Sequence, residues 1–452
     1  MSRSELQRRC VEAKARGELP STFLCNQTKA RLQEALDQIK SPLGDDNRPQ
    51  LNFGSFFNYQ LLARLNLVTI RRILALNRAL AELRTDDFFW KQHVNFVIQP
   101  RHSDRVITQL AITAPWRSYA LCFSPRKATR LYITGHDGEE IIWSPHQKTI
   151  NSPLFNYQHN NQPVSLTSDH RLIYYYEMEK ETEEKAAQVT QFQLDSTHEL
   201  YLLHGDGSFE YRGKYEASAK LLDRSIVSFA TQYNGDWVGI YLDEEGRLWY
   251  HYYTYLDDTK QLITHPFPLR NPVEPILRIN LAVNQIRNAK LYQLYLIDLK
   301  GRVHGITFTK DITGINIMKQ ELIVVPGFVV DLRSSPKFSG NSDLNNLFIL
   351  NDQGELYYRG NDNNKKLGKL KNSPIPYQID KLEQITRIEL YEDERVAAIT
   401  TGDAVYISGQ SNRGLLGLGK VRSSQSMTWR KVELEQVVGV SFSDYITAFL
   451  LE

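Results

Sequence analysis

The sequence predicts a mainly β fold: a β-propeller of about fifty-residue repeats, preceded by a small all-α module. Three observations predict it. The apolar period changes from three or four residues to two at about residue 100. One hairpin template recurs five times in the later part, and successive copies stand roughly fifty residues apart.

The helical module comes first. Lys29 to Ile39 is rich in helix formers, with Leu32, Ala35, Leu36 and Ile39 on one stripe, and Asp45-Asp46-Asn47-Arg48-Pro49 ends it. From Gln60 to Leu83, apolar residues at Leu61, Leu62, Leu65, Ile70, Ile73, Leu74, Leu76, Leu80 and Leu83 recur at three- and four-residue steps. That spacing predicts two or three short amphipathic helices. The predicted domains are therefore 1–93, helical, and 94–452, the propeller.

The template is an apolar residue, three turn residues, Gly, then apolar residues two and four positions on. It reads Leu203 to Tyr211 around Gly207, Leu242 to Tyr250 around Gly246, and Ile297 to Gly305 around Gly301. Two more copies run from Leu350 to Tyr358 around Gly354 and from Ile399 to Ile407, where Asp403 takes the Gly position. Each is expected to be a β-hairpin whose turn needs positive φ, which Gly adopts freely and Asp at modest cost. The last position of the third copy is itself Gly305.

The turn positions are spaced 39, 55, 53 and 49 residues apart, and a weaker copy centres on Asp137-Gly138. The 69-residue gap after that copy holds the charged run Glu177 to Lys185, read as a solvated insertion loop. Val440 and Leu451 stand eleven residues apart, as Ile388 and Ile399 do one repeat earlier, and the chain stops before the next hairpin. An open edge there invites aggregation, so a strand from residues 94–143 should complete the last blade. Val94 to Gln99 would give seven blades; the Asp137-Gly138 hairpin would give six.

Composition narrows the function classes. Lys and Arg number 54 against 52 Asp and Glu, a net charge of +2 with no long basic run, so nucleic acid is not the expected partner. Cys10, Cys25 and Cys122 are far apart and in no CxxC spacing, so neither a disulfide framework nor a zinc site is expected, and a reducing compartment fits. No apolar stretch is long enough for a membrane span. No HExxH, P-loop, nucleotide-binding GxGxxG or nucleophile elbow occurs, so no catalytic residue, metal or cofactor is expected. His136-Asp137 and His204-Gly205-Asp206 are read as exposed polar tips of hairpins.

The loop after the fifth copy, Ser408-Gly409-Gln410-Ser411-Asn412-Arg413-Gly414-Leu415-Leu416-Gly417-Leu418-Gly419, resembles the signature of the regulator of chromosome condensation repeat. One repeat earlier, Arg359-Gly360 to Leu367-Gly368 is a looser match. The resemblance covers roughly residues 100–452 and implies a seven-bladed propeller. It also implies, as one reading of function, a guanine-nucleotide exchange factor or scaffold for a small GTPase of the Ran kind. Exchange would need a wedge projecting from one propeller face, and the sequence alone does not locate it. The signature glycines are read as loop-tightening residues.

Phe53 to Trp90 is similar, without gaps, to the F-box, the motif that docks on Skp-type adaptors of cullin ubiquitin ligases. Leu61, Leu62 and Leu65 fall on its first apolar helix and Ile70 on its second; Leu76 and Leu80 fall on its Val and Trp positions, and Asp86-Asp87-Phe88-Phe89-Trp90 matches its ending. Phe53-Gly54 stands where the motif opens with Leu-Pro. The resemblance implies an adaptor-binding set of Phe53, Leu61, Leu62, Leu65, Ile70, Leu76, Leu80, Phe89 and Trp90. The alternative reading of the same stripe is a helical cap.

Two aromatic runs are candidate recognition elements for a protein partner: Tyr174-Tyr175-Tyr176, and Trp249 with Tyr252 and Tyr253. Ordinary packing between blades is the competing reading of both. The expected function is thus an interaction protein without a catalytic site of its own. It is read first as a substrate receptor linking a propeller-bound target to a Skp/cullin ligase, and second as an exchange factor or scaffold for a GTPase. The expected setting is the cytoplasm or nucleus of a eukaryotic cell, as for a host-directed viral or bacterial effector.

Overall fold

The computed structural model describes Phe89 and Trp90, which are helical, the strands between residues 130 and 232, and most of residues 238–451. All of these belong to the second of two compact units, Asn66–Glu452. The helical signals at 29–39 and 60–83, the three cysteines and Val94 to Gln99 lie outside the described residues.

The first described hairpin is β1 (Arg130–Gly135) with β2 (Glu140–Trp143). Six groups of four strands follow. They are β3 (Ile150–Leu154), β4 (Val164–Thr167), β5 (Leu172–Tyr176) and β6 (Lys180–Glu184); then β7 (Val189–Leu194), β8 (Leu200–His204), β9 (Phe209–Arg212) and β10 (Ala219–Lys220). Next come β11 (Ile226–Gln232), β12 (Val238–Asp243), β13 (Leu248–Leu256) and β14 (Thr259–Pro266); then β15 (Ile276–Ile286), β16 (Ala289–Asp298), β17 (Val303–Asp311) and β18 (Gly314–Ile323). The last two groups are β19 (Val329–Ser334), β20 (Leu347–Asn351), β21 (Leu356–Gly360) and β22 (Ser373–Gln378), and β23 (Ile385–Tyr391), β24 (Arg395–Thr400), β25 (Val405–Gln410) and β26 (Ser426–Lys431). The chain closes with β27 (Val437–Phe442) and β28 (Ile446–Leu451).

The described residues form seven four-stranded antiparallel sheets: six in sequence order, and one in the order β2-β1-β28-β27. The first strand of one sheet touches the first strand of the next from β7 through β11, β15, β19 and β23 to β27, and β27 returns to β3. That succession of inner strands, one from each four-stranded sheet, makes the fold a β-propeller. The join is the β1–β28 ladder, in which Tyr132 opposes Phe449 and Arg130 opposes Leu451.

Two expectations need correction. The Asp137-Gly138 hairpin, tied in the sequence to six blades, does close the ring, yet an additional sheet, β3 to β6, occupies the gap that was read as an insertion. Part of the charged run Glu177 to Lys185 is strand β6, not loop. An outermost strand has a single neighbour and tolerates charge, so the hydrophobic alternation that marks inner strands is missing there.

The core is a set of layers between sheets, built by strand alternation. On β16, Tyr292, Leu294 and Leu296 pack with Ile240 and Leu242 of the preceding sheet. The intervening Tyr295 and Ile297 pack with Leu347 and Ile349 of the following one. Because consecutive residues serve opposite neighbours, sheet interiors read as unbroken apolar runs, and each of β20, β21 and β27 is buried throughout.

All five template turns take the expected backbone. Gly207, Gly246, Gly301, Gly354 and Asp403 have φ of 81°, 75°, 70°, 78° and 60°. Each of these residues also accepts, at its carbonyl, the N–H of the first residue of the next sheet: Ile226, Ile276, Val329, Ile385 and Val437 in turn. Those five donor residues are buried, and each is followed by a register shift in the inner strand.

Candidate functional site

In each sheet the second-to-third turn lies at one end, and the first-to-second and third-to-fourth turns lie at the other, because neighbouring strands are antiparallel. The two faces of the ring are therefore chemically different.

Three of the five template turns are closed by polar trios. Asp243 Oδ1 accepts the N–H groups of Glu245 and Arg247, while its Oδ2 accepts Arg247 Nε at 2.7 Å and Trp249 Nε1 at 2.9 Å. Asp298 does the same with Lys300, Arg302 and His304, whose Nε2 lies 2.9 Å from Oδ2. In the next sheet the charges exchange places: Asn351 caps the turn and donates Nδ2 to Glu355 at 2.7 Å, and Tyr357 donates its hydroxyl to the same carboxylate. His204 is hydrogen-bonded to Glu210 at 2.8 Å and partly buried, not the exposed tip that its sequence suggests. Burial alone would raise the Asp298 carboxyl, but the hydrogen bonds from His304 and Arg302 outweigh it and hold it below the usual range. Next to Glu355, burial and the adjacent carboxylate push the Tyr357 hydroxyl up to about 12.

The inner strands carry a second polar set. Charged residues occur on β15, β19 and β23 and on no other inner strand. Asp331 lies between Arg333 at 2.9 Å and Arg278 at 3.7 Å, Arg333 also reaches Glu389 at 3.6 Å, and Arg387 donates to the Val438 carbonyl. The Asp331–Arg333 pair lies within β19, and each of the other links joins one sheet to the next. Glu389 keeps about a third of its side chain open but is ringed by protein, and burial pushes its carboxyl up against the pull of Arg333. Deep in the last interface, the Arg395 guanidinium lies over the rings of Tyr391 and Phe442.

The most distinctive feature is on the opposite face. β13 and β14 remain paired to Leu256↔Thr259, five positions past the last β12–β13 pair, Gly239↔His251. β15 and β16 remain paired to Ile286↔Ala289, and β17 and β18 to Asp311↔Gly314, both past the Tyr292↔Phe308 pair that ends the β16–β17 ladder. At about 3.3 Å per residue, the extra length of β15 over the other inner strands is roughly 13 Å or more. Three hairpins from two adjacent sheets thus form a crest.

The recognition candidates divide between these features. Trp249 is fixed by Asp243 in a turn trio, which is a packing role. Tyr252 and Tyr253 stand at the base of the crest, opposite Ile263 and Leu262. Tyr174, Tyr175 and Tyr176 are on β5, between β4 and β6, in an ordinary blade. Phe89 and Trp90 are buried and meet edge to face at 5.1 Å. Phe53, Leu61, Leu62, Leu65, Ile70, Leu76 and Leu80 lie outside the described residues. Two leucines of the signature loops, Leu367 and Leu416, are buried, and Ser408 donates to the Leu367 carbonyl at 3.1 Å across two sheets, so these loops serve packing. The turn trios were missed in the sequence, although complementary polar residues at the second, sixth and eighth template positions would have revealed them. Among the described residues no cluster could hold a metal ion, and no helix is long and apolar enough to cross a membrane.

No family model and no curated protein matches the chain. Solved structures similar to it include human WBSCR16, at 11% identity over 72% of this chain and 99% of that one, with a TM-score of 0.48. Another is the yeast RCC1, Prp20, bound to Kap60, at 11% identity over 75% and 92%, with a TM-score of 0.49. A third is Prp20p from Saccharomyces cerevisiae, in a study of its binding to Gsp1p and histones, at 11% identity over 72% and 91%, with a TM-score of 0.47. The propeller class itself stands on the sheet order and the ring of inner strands.

Proposed function

We propose that the chain is a protein-interaction propeller that seats a partner against the crest formed by the β13–β14, β15–β16 and β17–β18 hairpins. The observation that supports this is the strand length itself: two neighbouring sheets carry paired backbone well past the rest of the ring. Within each hairpin the backbone groups that face each other are paired, so the strands can project while their outward groups face water.

Among partners, a small GTPase fits the crest as the projecting wedge that the nucleotide-exchange reading requires. The ligase-receptor reading is supported by a different feature, the similarity of residues 53–90 to the F-box, and the two are not exclusive. The test replaces residues 254–261 and 284–291 by two-residue turns and compares capture from a eukaryotic lysate by mass spectrometry. Loss of the specific partners at an unchanged melting temperature is the expected result; capture of the same set by both proteins refutes the crest. Release of fluorescent GDP from a GTPase panel then decides the finer reading, with about tenfold acceleration, roughly 1.4 kcal/mol of barrier, as the threshold for exchange.

A further inference from the structure

The outermost strands of a propeller expose backbone edges, and most of the edges here are blunted. β10 is two residues long, β6 is dominated by charge, β22 carries Pro374 and Pro376, and β14 ends at Pro266. β18 is different. It runs for ten residues without proline, and among the described residues no strand pairs with its outer side. Arg270, from the segment after β14, donates to the carbonyls of Ile317 and Met318, and Gln320 exchanges hydrogen bonds with the backbone of Asn271.

Apolar side chains stand along this edge in the open. Met318, Leu322 and Val324 are 56%, 53% and 74% exposed. Leu322 opposes His304, and Val324 follows two residues on, at strand spacing. The charge around them is mainly positive: Arg270 and Lys300 are exposed, as are the side chains of Lys319 and Arg302. Of the carboxylates beside them, Asp298 is buried against Arg302 and His304, and Glu321 is held by Lys319 at 2.9 Å and Arg359 at 2.7 Å. Those cations keep Glu321 below its ordinary range despite the opposing effect of its partial burial.

We propose that the outer edge of β18 from Lys319 onward, with Val324 just past the end of the strand, is a second protein-binding site. It takes an extended acidic segment of a partner, with apolar residues at alternate positions, by strand addition. Backbone pairing supplies the register, Leu322 and Val324 receive the apolar side chains, and the excess of positive charge, with Arg270 and Lys300 exposed, attracts the carboxylates. A second copy of this chain is disfavoured as the occupant, because pairing β18 with itself brings the two sets of cations together. This site lies at the other end of β18 from its crest turn and does not depend on the crest.

The test uses the full chain and a short fluorescein-labelled peptide of alternating valine and glutamate, read by anisotropy. Saturable binding is expected, weakened about threefold or more by Leu322→Asn and separately by Val324→Asn, since a neutral amide removes the apolar cross-strand contact without adding a cation. The same peptide with proline at every other position should not bind. Both substitutions are at exposed positions, and an unchanged melting transition shows that each variant is folded. Absence of saturation, equal affinity for wild type and both variants, or equal binding of the proline peptide overturns the proposal. So does self-association of the wild type that Val324→Asn abolishes.

Discussion

The carbonyl of Gly354 accepts the N–H of Ile385 at 2.9 Å, so the turn that ends one hairpin is also the anchor of the next sheet. The same bond joins Gly207 to Ile226, Gly246 to Ile276, Gly301 to Val329 and Asp403 to Val437. It explains why the positive-φ position recurs through otherwise divergent repeats. The residue must turn the chain tightly and also leave room for the backbone arriving from the next sheet.

That double demand makes Gly354→Ala costly. A Cβ there would lie 2.9 Å from the Gln384 Cα, at a φ of 78°. Strain of this kind is worth about 1–3 kcal/mol, and chemical denaturation should show a loss in that range. Gly402→Ala, where the nearest atom would be 3.9 Å away, is the matched control. It should stay within about 0.5 kcal/mol of wild type, as surface substitutions usually do.

Ring closure depends on the last strand. Phe449 is fully buried, opposes Val440 and Tyr132 on its two sides and packs with Ile399 and Leu451. Phe449→Ala should cost about 3–5 kcal/mol by thermal or denaturant melting. Deleting residues 437–452 removes both β27 and β28 and should give aggregation or a much lower melting temperature. A truncated monomer that melts like wild type would show that the C-terminal strands do not close the ring.

The exchanged trios predict a rescue. In Asp298→Asn the new amide group meets the donors of Arg302 and His304, and losing hydrogen bonds to charged groups costs about 1.5–3 kcal/mol. Adding Arg302→Glu recreates the Asn351–Glu355 pairing and should recover most of that loss. Because the Asp298 carboxyl lies below its ordinary value of 3.8, its stabilisation is present above that pH and is lost as pH falls through the depressed folded value. The gap between wild type and Asp298→Asn should therefore be flat at neutral pH and close in strong acid.

Glu389 has the opposite sign. Its folded carboxyl binds protons more tightly than the ordinary Glu value of 4.5, so above that pH the folded state holds more proton than the unfolded state. Stability contributed by the protonated form then falls as pH rises through the elevated folded value. In Glu389→Gln this slope should vanish, which melting temperatures measured upward from pH 4.5 would reveal. An unchanged slope would mean that the group is solvated in the folded state.

The F-box reading predicts that Leu65→Asp abolishes co-purification with a Skp-type adaptor while the propeller stays folded, since burying an unpaired carboxylate costs several kcal/mol. Trp90, buried against Phe89, makes a poor probe because its removal also empties packed space. Wild type that does not bind adaptor at micromolar concentration would remove this reading.

The sequence by itself determined the propeller, the five template turns and the need for a strand from residues 94–143 to close the ring. All of these follow from local rules: alternation, positive φ at a tight turn and the cost of an open edge. It could not show that β3 to β6 make a further sheet, because an outer strand such as Lys180–Glu184 lacks the apolar period that marks buried ones. Only the tertiary structure decided which residues meet across sheets. Arg278 and Asp331, or Arg333 and Glu389, stand more than fifty residues apart in sequence and touch because successive inner strands converge on one ring. The crest and the β18 edge were decided there too. A long strand and its neighbours read as similar apolar and aromatic runs, and which of them outlasts its partners is fixed by the register between strands, set by pairing across the sheet and not along the chain.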